Sequence, residues 1–161
     1  MVLMVCEVLS AELAAKYVSR VSVHIMGKPK DKDLARKLQD YVDRVKGRGI
    51  SLVIFPDRIG SEGYESKLSE LPGDLVLVDQ EGQEMTSKVL SSWLSSKKLD
   101  RMPTHLAIGP AEGFSKKLKN SASSAISLSR LTFTHELAAL ILMEQLYRAT
   151  EIERGSTYHR E

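Results

Sequence analysis

The sequence has 161 residues, of which 42% are hydrophobic and 27% are charged, and its formal net charge is +2. This length suits a single domain with a sizeable core, and the composition indicates neither disorder nor a membrane protein. The weak positive charge permits an RNA partner but does not indicate one. The single cysteine, Cys6, excludes an internal disulfide and fits a reducing compartment. The four histidines lack metal-ligand spacing, so we predict no metal site.

The first twenty residues resemble a targeting segment only in part. Met1 to Leu9 is apolar but too short to span a bilayer, and no basic region precedes it. Glu7 and Glu12 interrupt the segment, which argues against a signal peptide or a transit peptide. We therefore predict that residues 1–20 are an N-terminal extension of unknown role, an added helix or strand, before a single domain over residues 21–161.

Hydrophobic patterns predict five β-strands. Residues 21–26 alternate as a strand does, and a second apolar run covers residues 50–55. The run 74–79 has an almost continuous apolar centre, which is typical of a parallel strand covered on both faces. Two further strand-like runs cover residues 105–108 and 126–133, and each runs into a loop or turn.

Helices are predicted between these strands. Residues 31–46 carry apolar side chains on one stripe and charged side chains on the other face. Thr86, Ser115 and Thr134 are predicted N-caps of three further helices. The last of these helices is apolar on every side over residues 137–143, which indicates a buried helix and, in a protein of this size, a subunit interface.

The alternation of strands and helices predicts an α/β domain with a mostly parallel sheet. The segment 58–73 is polar and contains glycines, so we predict a mobile loop there, with a short helix around residues 65–71. Residues 80–84 are predicted to turn the chain.

Familiar cofactor and catalytic motifs are absent. No Gly-x-Gly-x-x-Gly follows a strand, no P-loop sequence occurs, and no Gly-x-Ser-x-Gly occurs. A Rossmann dinucleotide site, a P-loop and a hydrolase nucleophile elbow are therefore unsupported. If the protein is an enzyme, main-chain groups must hold most of its cofactor, and few side chains must perform its chemistry.

The predicted strand at 105–108 runs into a loop that contains Gly109 and Gly113. Glycines permit positive φ angles and let a ligand approach the main chain. The apolar strand before the loop, together with residues 128–133, could border a flat ring and bind its edge through main-chain groups. An ordinary turn with a glycine cap explains the same pattern, and the spacing leaves both interpretations open.

Tyr158, His159 and Arg160 offer a phenol, an imidazole that titrates near neutral pH and a fixed cation. These groups suit base stacking, proton transfer and phosphate contact on RNA. The alternative is a solvated tail. The basic runs 97–101 and 116–119 are expected to be solvated faces, and they become RNA contacts only if the site lies nearby.

The other histidines are expected to be structural. His24 and His105 lie within predicted strands, where a side chain is usually buried or half-buried. His135 begins a predicted helix, where a structural role is the more common one, although a functional role stays open.

Several segments together resemble one protein family. They occur in the family's order and cover about residues 21–161. The segments are Val23-His24-Ile25-Met26-Gly27-Lys28, Tyr41-Val42-Asp43-Arg44, Leu77-Val78-Asp79 with Gly82 and Glu84, Ile108-Gly109-Pro110-Ala111-Glu112-Gly113, Ser127-Leu128-Ser129 with Leu131-Thr132, Glu144-Gln145-Leu146-Tyr147-Arg148-Ala149, and Tyr158-His159-Arg160-Glu161. On these segments the chain resembles the RlmH family of SPOUT-class methyltransferases, which methylate N3 of a pseudouridine in helix 69 of large-subunit ribosomal RNA.

The resemblance implies a fold and a cofactor. The fold would be the α/β trefoil knot, with a mostly parallel sheet of five to six strands and helices on both faces. The cofactor would be S-adenosyl-L-methionine, bound in the knot. Its contacts by family pattern would be Val78, Gly109, Leu128, Ser129, Arg130, Leu131, Thr132 and Phe133.

The resemblance also implies catalytic residues and partners. Tyr158, His159 and Arg160 would be catalytic: His159 or Tyr158 would take the N3 proton, and Arg160 would hold a phosphate or developing charge. The partners would be ribosomal RNA or the large subunit and a second copy of the chain, in a homodimer with its site near the interface. Neither a metal nor a membrane is implied, and the location would be cytoplasmic.

Three features depart from the family pattern. Pro110 stands at the second of two adjacent glycines and removes an amide from the loop. Ser156 and Thr157 stand where a histidine and a proline often precede the terminal tyrosine. Residues 1–20 extend beyond the usual start, and segment 57–73 is shorter than expected. The first two features favour an alternative function, a non-catalytic RNA- or ribosome-binding protein of the same knotted fold.

Overall fold

The computed structural model describes residues 20–158, so most of the predicted N-terminal extension and the candidate catalytic residues His159 and Arg160 lie outside the described residues. The strands are β1 (Val21–Met26), β2 (Ile50–Phe55), β3 (Asp74–Glu84), β4 (Thr104–Ile108) and β5 (Ser124–Ser127). The helices of this part of the chain are α1 (Lys32–Val45), α2 (Gly60–Ser69), α3 (Ser87–Leu99), α4 (Lys116–Ser121) and α5 (His135–Glu153), and a short 3₁₀ turn, Asp57–Ile59, precedes α2.

The strands form one parallel sheet in the order β2-β1-β4-β3-β5. Their carboxyl ends therefore lie along one edge, which is the edge where open α/β sheets bind ligands. β4 lies between β1 and β3, and all of its residues are buried. The structure confirms the predicted α/β class and mostly parallel sheet, while the trefoil knot stays a prediction.

Helices cover both faces of the sheet, as predicted. Alternate residues of a strand point to opposite faces, so Val76 and Leu106 belong to one core and Leu77 and Ala107 to the other. The first core also contains side chains of α1, α3 and α5, and the second contains side chains of α2 and α4. Burial on both faces explains why the central strands are almost continuous apolar runs.

Four helices, α1, α3, α4 and α5, begin where the sequence predicts them, and each of these has a side-chain cap. The hydroxyls of Thr86, Ser115 and Thr134 accept hydrogen bonds from the amides three residues further on. The carboxylate of Asp31 accepts from two amides of α1, at 2.9 Å each. These bonds satisfy amides that the first turn of a helix leaves unpaired.

β3 is longer than predicted and β5 is shorter. The sequence predicts a turn over residues 80–84, but β3 continues through them and pairs with β5 on both sides of an irregularity. Gly82 permits this close pairing, since a Cβ there would lie 2.6 Å from the backbone of Ile126. β5 ends at Ser127, so residues 128–133, predicted as part of the strand, form an irregular segment instead.

The segment 58–73 contains α2, so the short helix predicted around residues 65–71 is present but begins earlier, at Gly60, and the mobility predicted for the segment stays a prediction. α2 buries Tyr64 and Leu68 in the second core. These two residues are one helical turn apart and form a narrow apolar stripe on an otherwise polar helix. Because the apolar stripe is so narrow, the sequence of this helix is as polar as that of a loop.

Candidate functional site

An open pocket of about 830 Å³ lies at the carboxyl edge of the sheet. Its walls are the central part of β3, the end of β4, the glycine loop that follows β4, Lys119 of α4, the segment after β5 and the first turn of α5. The parallel topology brings these parts together, because every strand delivers its following loop to the same edge. The volume is typical of small-molecule sites.

The pocket gathers most of the residues that the sequence predicts as cofactor contacts. Arg130 is the exception: its side chain is 88% exposed, and its Nε lies 3.3 Å from Oε1 of Glu84. The remaining predicted contacts line the pocket, namely Val78, Gly109, Leu128, Ser129, Leu131, Thr132 and Phe133. Three separate segments therefore share one cavity, while their role as cofactor contacts stays a prediction.

The glycine loop is a tight turn. Gly113 has a φ of 79°, and its amide donates to the carbonyl oxygen of Pro110 at 2.8 Å. Gly109 has no positive φ, but a Cβ there would meet the ring of Phe114 at 3.2 Å. Gly113 therefore provides the positive φ that the turn requires. At Gly109 the absence of a Cβ lets the ring of Phe114 pack against the main chain.

Pro110 is compatible with this turn. Its side chain is buried and its carbonyl closes the turn, which does not require an amide at that position. Two contacts fix the loop to α2: the Ser61 hydroxyl donates to the Glu112 carboxylate, and the amide of Ser115, the N-cap of α4, donates to the Glu65 carboxylate at 2.7 Å. The loop still offers one main-chain donor fewer than two adjacent glycines would.

An ion pair lies at the pocket. Nζ of Lys119 is 3.0 Å from Oδ2 of Asp79 and 3.4 Å from Oε2 of Glu81. The hydrogen bond from Lys119 to Asp79 raises the pKa of the lysine above its ordinary value. The pocket thus presents a carboxylate and an ammonium group side by side.

Sequence reasoning missed several lining residues, including Asp79, Phe114 and Lys119. Asp79 directly follows a buried run of β3, and that position is a signal that could have found it. Phe114 and Lys119 carry no such signal, because only the packing of the glycine loop and α4 brings them to the pocket. His135, expected to be structural, also lines it.

Tyr64 supports the pocket from beneath. Its side chain is 0% exposed, and its hydroxyl lies 2.9 Å from the carbonyl oxygens of His24 and Ile108. It therefore joins β1 to β4 one residue before Gly109. Burial raises the pKa of the phenol, so the hydroxyl stays protonated and available as a donor.

Tyr158 lies outside the pocket lining, against α5. Its ring contacts the side chains of Tyr147 and Arg148. Burial raises the pKa of its phenol, and a hydrogen bond with Tyr41 adds to the effect. Within one chain the structure does not bring Tyr158 together with the predicted cofactor contacts, and its catalytic role stays a prediction.

The two basic runs lie at opposite edges of the sheet. The run 116–119 belongs to α4, where Lys119 lines the pocket and the other two lysines are exposed. In the run 97–101, Nζ of Lys97 lies 3.0 Å from Oδ2 of Asp74, at the start of β3. Only the first run is therefore near the candidate site.

Within residues 20–158, no group of three or more histidine, cysteine, aspartate or glutamate side chains is arranged to hold a metal ion. No helix in that same range is long and apolar enough to cross a lipid bilayer. The pocket itself offers main-chain groups, aliphatic walls and one ion pair. These features suit an organic ligand that carries both an apolar and a charged part.

A family model described as "Predicted SPOUT methyltransferase" matches residues 19–159. The chain belongs to the SPOUT methyltransferase family. The match covers the whole sheet and every wall of the pocket. It confirms the predicted family, and it makes the protein a methyltransferase.

Relatives of this SPOUT methyltransferase carry the name "Ribosomal RNA large subunit methyltransferase H". The one from Prochlorococcus marinus is 40% identical over 147 residues, which cover 89% of this chain and 97% of the relative. The one from Bacteroides fragilis is 32% identical over 157 residues, with 88% and 99% covered. The one from Coprothermobacter proteolyticus is 34% identical over 143 residues, with 87% and 100% covered.

Proposed function

We propose that this SPOUT methyltransferase transfers the methyl group of S-adenosyl-L-methionine to large-subunit ribosomal RNA. The observation that carries the proposal is the pocket at the carboxyl edge, where predicted cofactor contacts from three separate segments meet. Relatives of nearly equal length that are named for ribosomal RNA methylation support the RNA substrate.

The residues of the pocket fit S-adenosyl-L-methionine. Ile108, Leu128 and Leu131 offer aliphatic walls to the adenine ring, and the main chain at Gly109 is open to its edge. The ion pair between Asp79 and Lys119 can exchange partners with the ammonium and carboxylate of the amino-acid end. When bound, the cofactor supplies an activated methyl group on a sulfonium. The protein's own task is to align the RNA base and to remove its proton.

The RNA target that we propose is N3 of a pseudouridine in helix 69. His159 is the candidate proton acceptor, since an imidazole titrates near neutral pH, and Arg160 is the candidate for a phosphate or developing charge. Tyr158 belongs to the same tail. Deletion of residues 158–161 should abolish methyl transfer and leave cofactor binding intact. Full activity of the truncated protein would refute the role of the tail.

The basic run 116–119 supports an approach of RNA over the carboxyl edge. Lys116 and Lys117 are exposed one helical turn or less from Lys119, which lines the pocket. Phosphates held by these lysines would place a nearby base over the pocket, since phosphate contacts position a nucleic acid without reading its sequence.

We also infer a homodimer in which α5 contributes to the interface. Leu137 on α5 is 37% exposed and Val89 on α3 is 49% exposed. A partly apolar cleft between the two helices is lined by Leu90 of α3 and Ile141 of α5 among others. Apolar surface of this kind is typical of subunit contacts. The ribosomal substrate supports a cytoplasmic location, and we retain a single domain over residues 21–161.

Mass spectrometry of ribosomal RNA nucleosides from cells with and without the protein tests the proposal. We expect a methylated pseudouridine to disappear from the large subunit when the protein is absent. An unchanged nucleoside profile would overturn the proposed substrate. Calorimetry with S-adenosyl-L-methionine tests the cofactor separately, and no heat of binding at millimolar cofactor would favour the non-catalytic RNA-binding alternative.

A further inference from the structure

Arg148 on α5 is held in one orientation by Glu144, one helical turn earlier. Its Nε and Nη2 atoms lie 3.1 Å and 2.9 Å from Oε1 of Glu144. Both side chains are only 20% exposed. A planar guanidinium that is paired and largely buried in this way has little rotational freedom, so it presents a fixed surface to a neighbour.

That neighbour is Tyr158. The guanidinium carbon of Arg148 lies 4.9 Å from the centre of the Tyr158 ring, and Nη1 donates to the Tyr158 carbonyl oxygen at 3.3 Å. The ring of Tyr147 meets the Tyr158 ring edge-on, with centroids 4.9 Å apart and an interplanar angle of 75°. The Tyr158 hydroxyl lies 3.4 Å from Glu144. Two ring contacts and one main-chain hydrogen bond therefore hold this residue.

The side chain of Tyr147, which contacts Tyr158, is itself supported by residues of α1 and of the turn after it. Arg44 and Arg48 place their guanidinium carbons 5.3 Å and 5.1 Å from the centre of the Tyr147 ring. The ring of Tyr41 lies 5.9 Å from that of Tyr147. Cation–π and aromatic contacts of this kind each stabilise the arrangement of the rings. Several of them acting together favour a rigid surface over a mobile one.

We propose that Glu144, Tyr147 and Arg148 are positioning residues that anchor Tyr158 and thereby set where the two residues after it can act. The inference rests on the proposed function, because it concerns the tail to which that function assigns proton removal. It assigns a positioning role to the segment 144–149. This segment is part of the family resemblance, but none of its residues lines the pocket at the carboxyl edge.

The same contacts change the role expected for Tyr158. Its ring and its carbonyl are both engaged by α5, and its hydroxyl points to a carboxylate rather than to the pocket. Burial raises the pKa of the phenol, and a raised pKa makes the phenolate scarce near neutral pH. Tyr158 is thus the anchored group of the tail, and proton acceptance falls to His159.

Substitutions at Tyr158 separate an anchor from a base. Tyr158→Phe keeps the ring contacts and loses the hydrogen bonds of the hydroxyl with Glu144 and Tyr41, so we expect its kcat for methylation of large subunits lacking the modification to be at least about tenfold higher than that of Tyr158→Ala. Tyr158→Ala and Arg148→Ala should each lower kcat about 100-fold, since a small misplacement of a reacting group has effects of that size. If Tyr158→Phe is as inactive as Tyr158→Ala, the anchor role is wrong.

Two further measurements distinguish positioning from loss of fold. The dissociation constant for S-adenosyl-L-methionine should not change in any of these variants, and carboxypeptidase should trim the tail faster in Arg148→Ala than in the parent. Arg36→Ala is the matched control, because Arg36 is also paired with a carboxylate within one helix, Asp33, but on an exposed surface of α1. Equal trimming rates in Arg148→Ala and the parent would overturn the proposal. A parent protein that trims slowly but methylates no RNA would instead refute the proposed function.

Discussion

Nε2 of His24 lies 2.9 Å from Nδ1 of His105, inside the sheet between β1 and β4. Nε2 of His105 lies 2.9 Å from the carbonyl oxygen of Pro72, so that nitrogen carries the proton and donates it. Nδ1 of His105 must then accept, and His24 donates from Nε2. Nδ1 of His24 is buried without a hydrogen-bond partner among the described residues. A second proton on His24 would therefore be buried and unpartnered.

This pair predicts that stability falls as the solution becomes acidic. Burial, with the neighbouring His105, lowers the pKa of His24 from 6.5 to about 3, and burial also lowers the pKa of His105. Between these values the unfolded chain binds more protons than the folded one. The free energy of unfolding therefore has its full value above about pH 6.5. It falls as the pH drops towards 3, by about 1.4 kcal/mol per pH unit for one proton.

Urea denaturation at several pH values between 4 and 8 measures this slope. His24→Phe removes the titrating ring while keeping an aromatic partner for Phe55, which lies 5.8 Å from His24 between ring centroids. We expect a flatter dependence of the unfolding free energy on pH in that variant. An unchanged slope would show that other groups cause the acid sensitivity.

Gly109→Ala should weaken binding of S-adenosyl-L-methionine. Its Cβ would press on the ring of Phe114, which lines the pocket. Overpacking of this kind costs about 1–3 kcal/mol, so we expect the dissociation constant to rise about tenfold or more in calorimetry. Adding Phe114→Leu should recover part of the loss by removing the ring that the new methyl group meets. A double variant as weak as Gly109→Ala would argue against this explanation.

The double substitution Lys116→Gln with Lys117→Gln should weaken binding to large ribosomal subunits. Each phosphate contact that is lost should lower the slope of log affinity against log salt by about one. Lys46→Gln with Arg101→Gln is the matched control, because it removes the same charge from exposed residues at the opposite edge of the sheet. Equal slopes in the two double variants would mean that RNA does not approach over α4.

Leu137→Glu should dissociate the proposed homodimer. A charge placed in an apolar contact loses its hydration without gaining a partner, so we expect self-association to weaken about 100-fold in sedimentation experiments. Leu99→Glu is a suitable control, since Leu99 is 87% exposed and lies at the other end of α3 from Val89. If the parent protein is a monomer, the proposed dimer is wrong whatever the variants do.

The sequence by itself determined the class of fold and the family. The strands at 21–26 and 50–55 have the bounds that their apolar patterns predict, because strands covered by helices need apolar side chains along much of their length. The helix starts at Thr86, Ser115 and Thr134 also agree, since a capping hydroxyl acts within a few residues and needs no tertiary contact. Seven of the eight cofactor contacts that the resemblance implies line the pocket, while their role stays a prediction.

Only the tertiary structure decided which residues meet. The extension of β3 through 80–84 and the end of β5 at Ser127 depend on pairing between the two strands, a contact that local patterns do not contain. The burial of Tyr64, the approach of Phe114 to Gly109 and the ion pair of Lys119 with Asp79 likewise join distant segments. Side-chain chemistry and local periodicity can be read from the sequence. These contacts between distant segments form only when the parallel sheet brings separate loops to one edge.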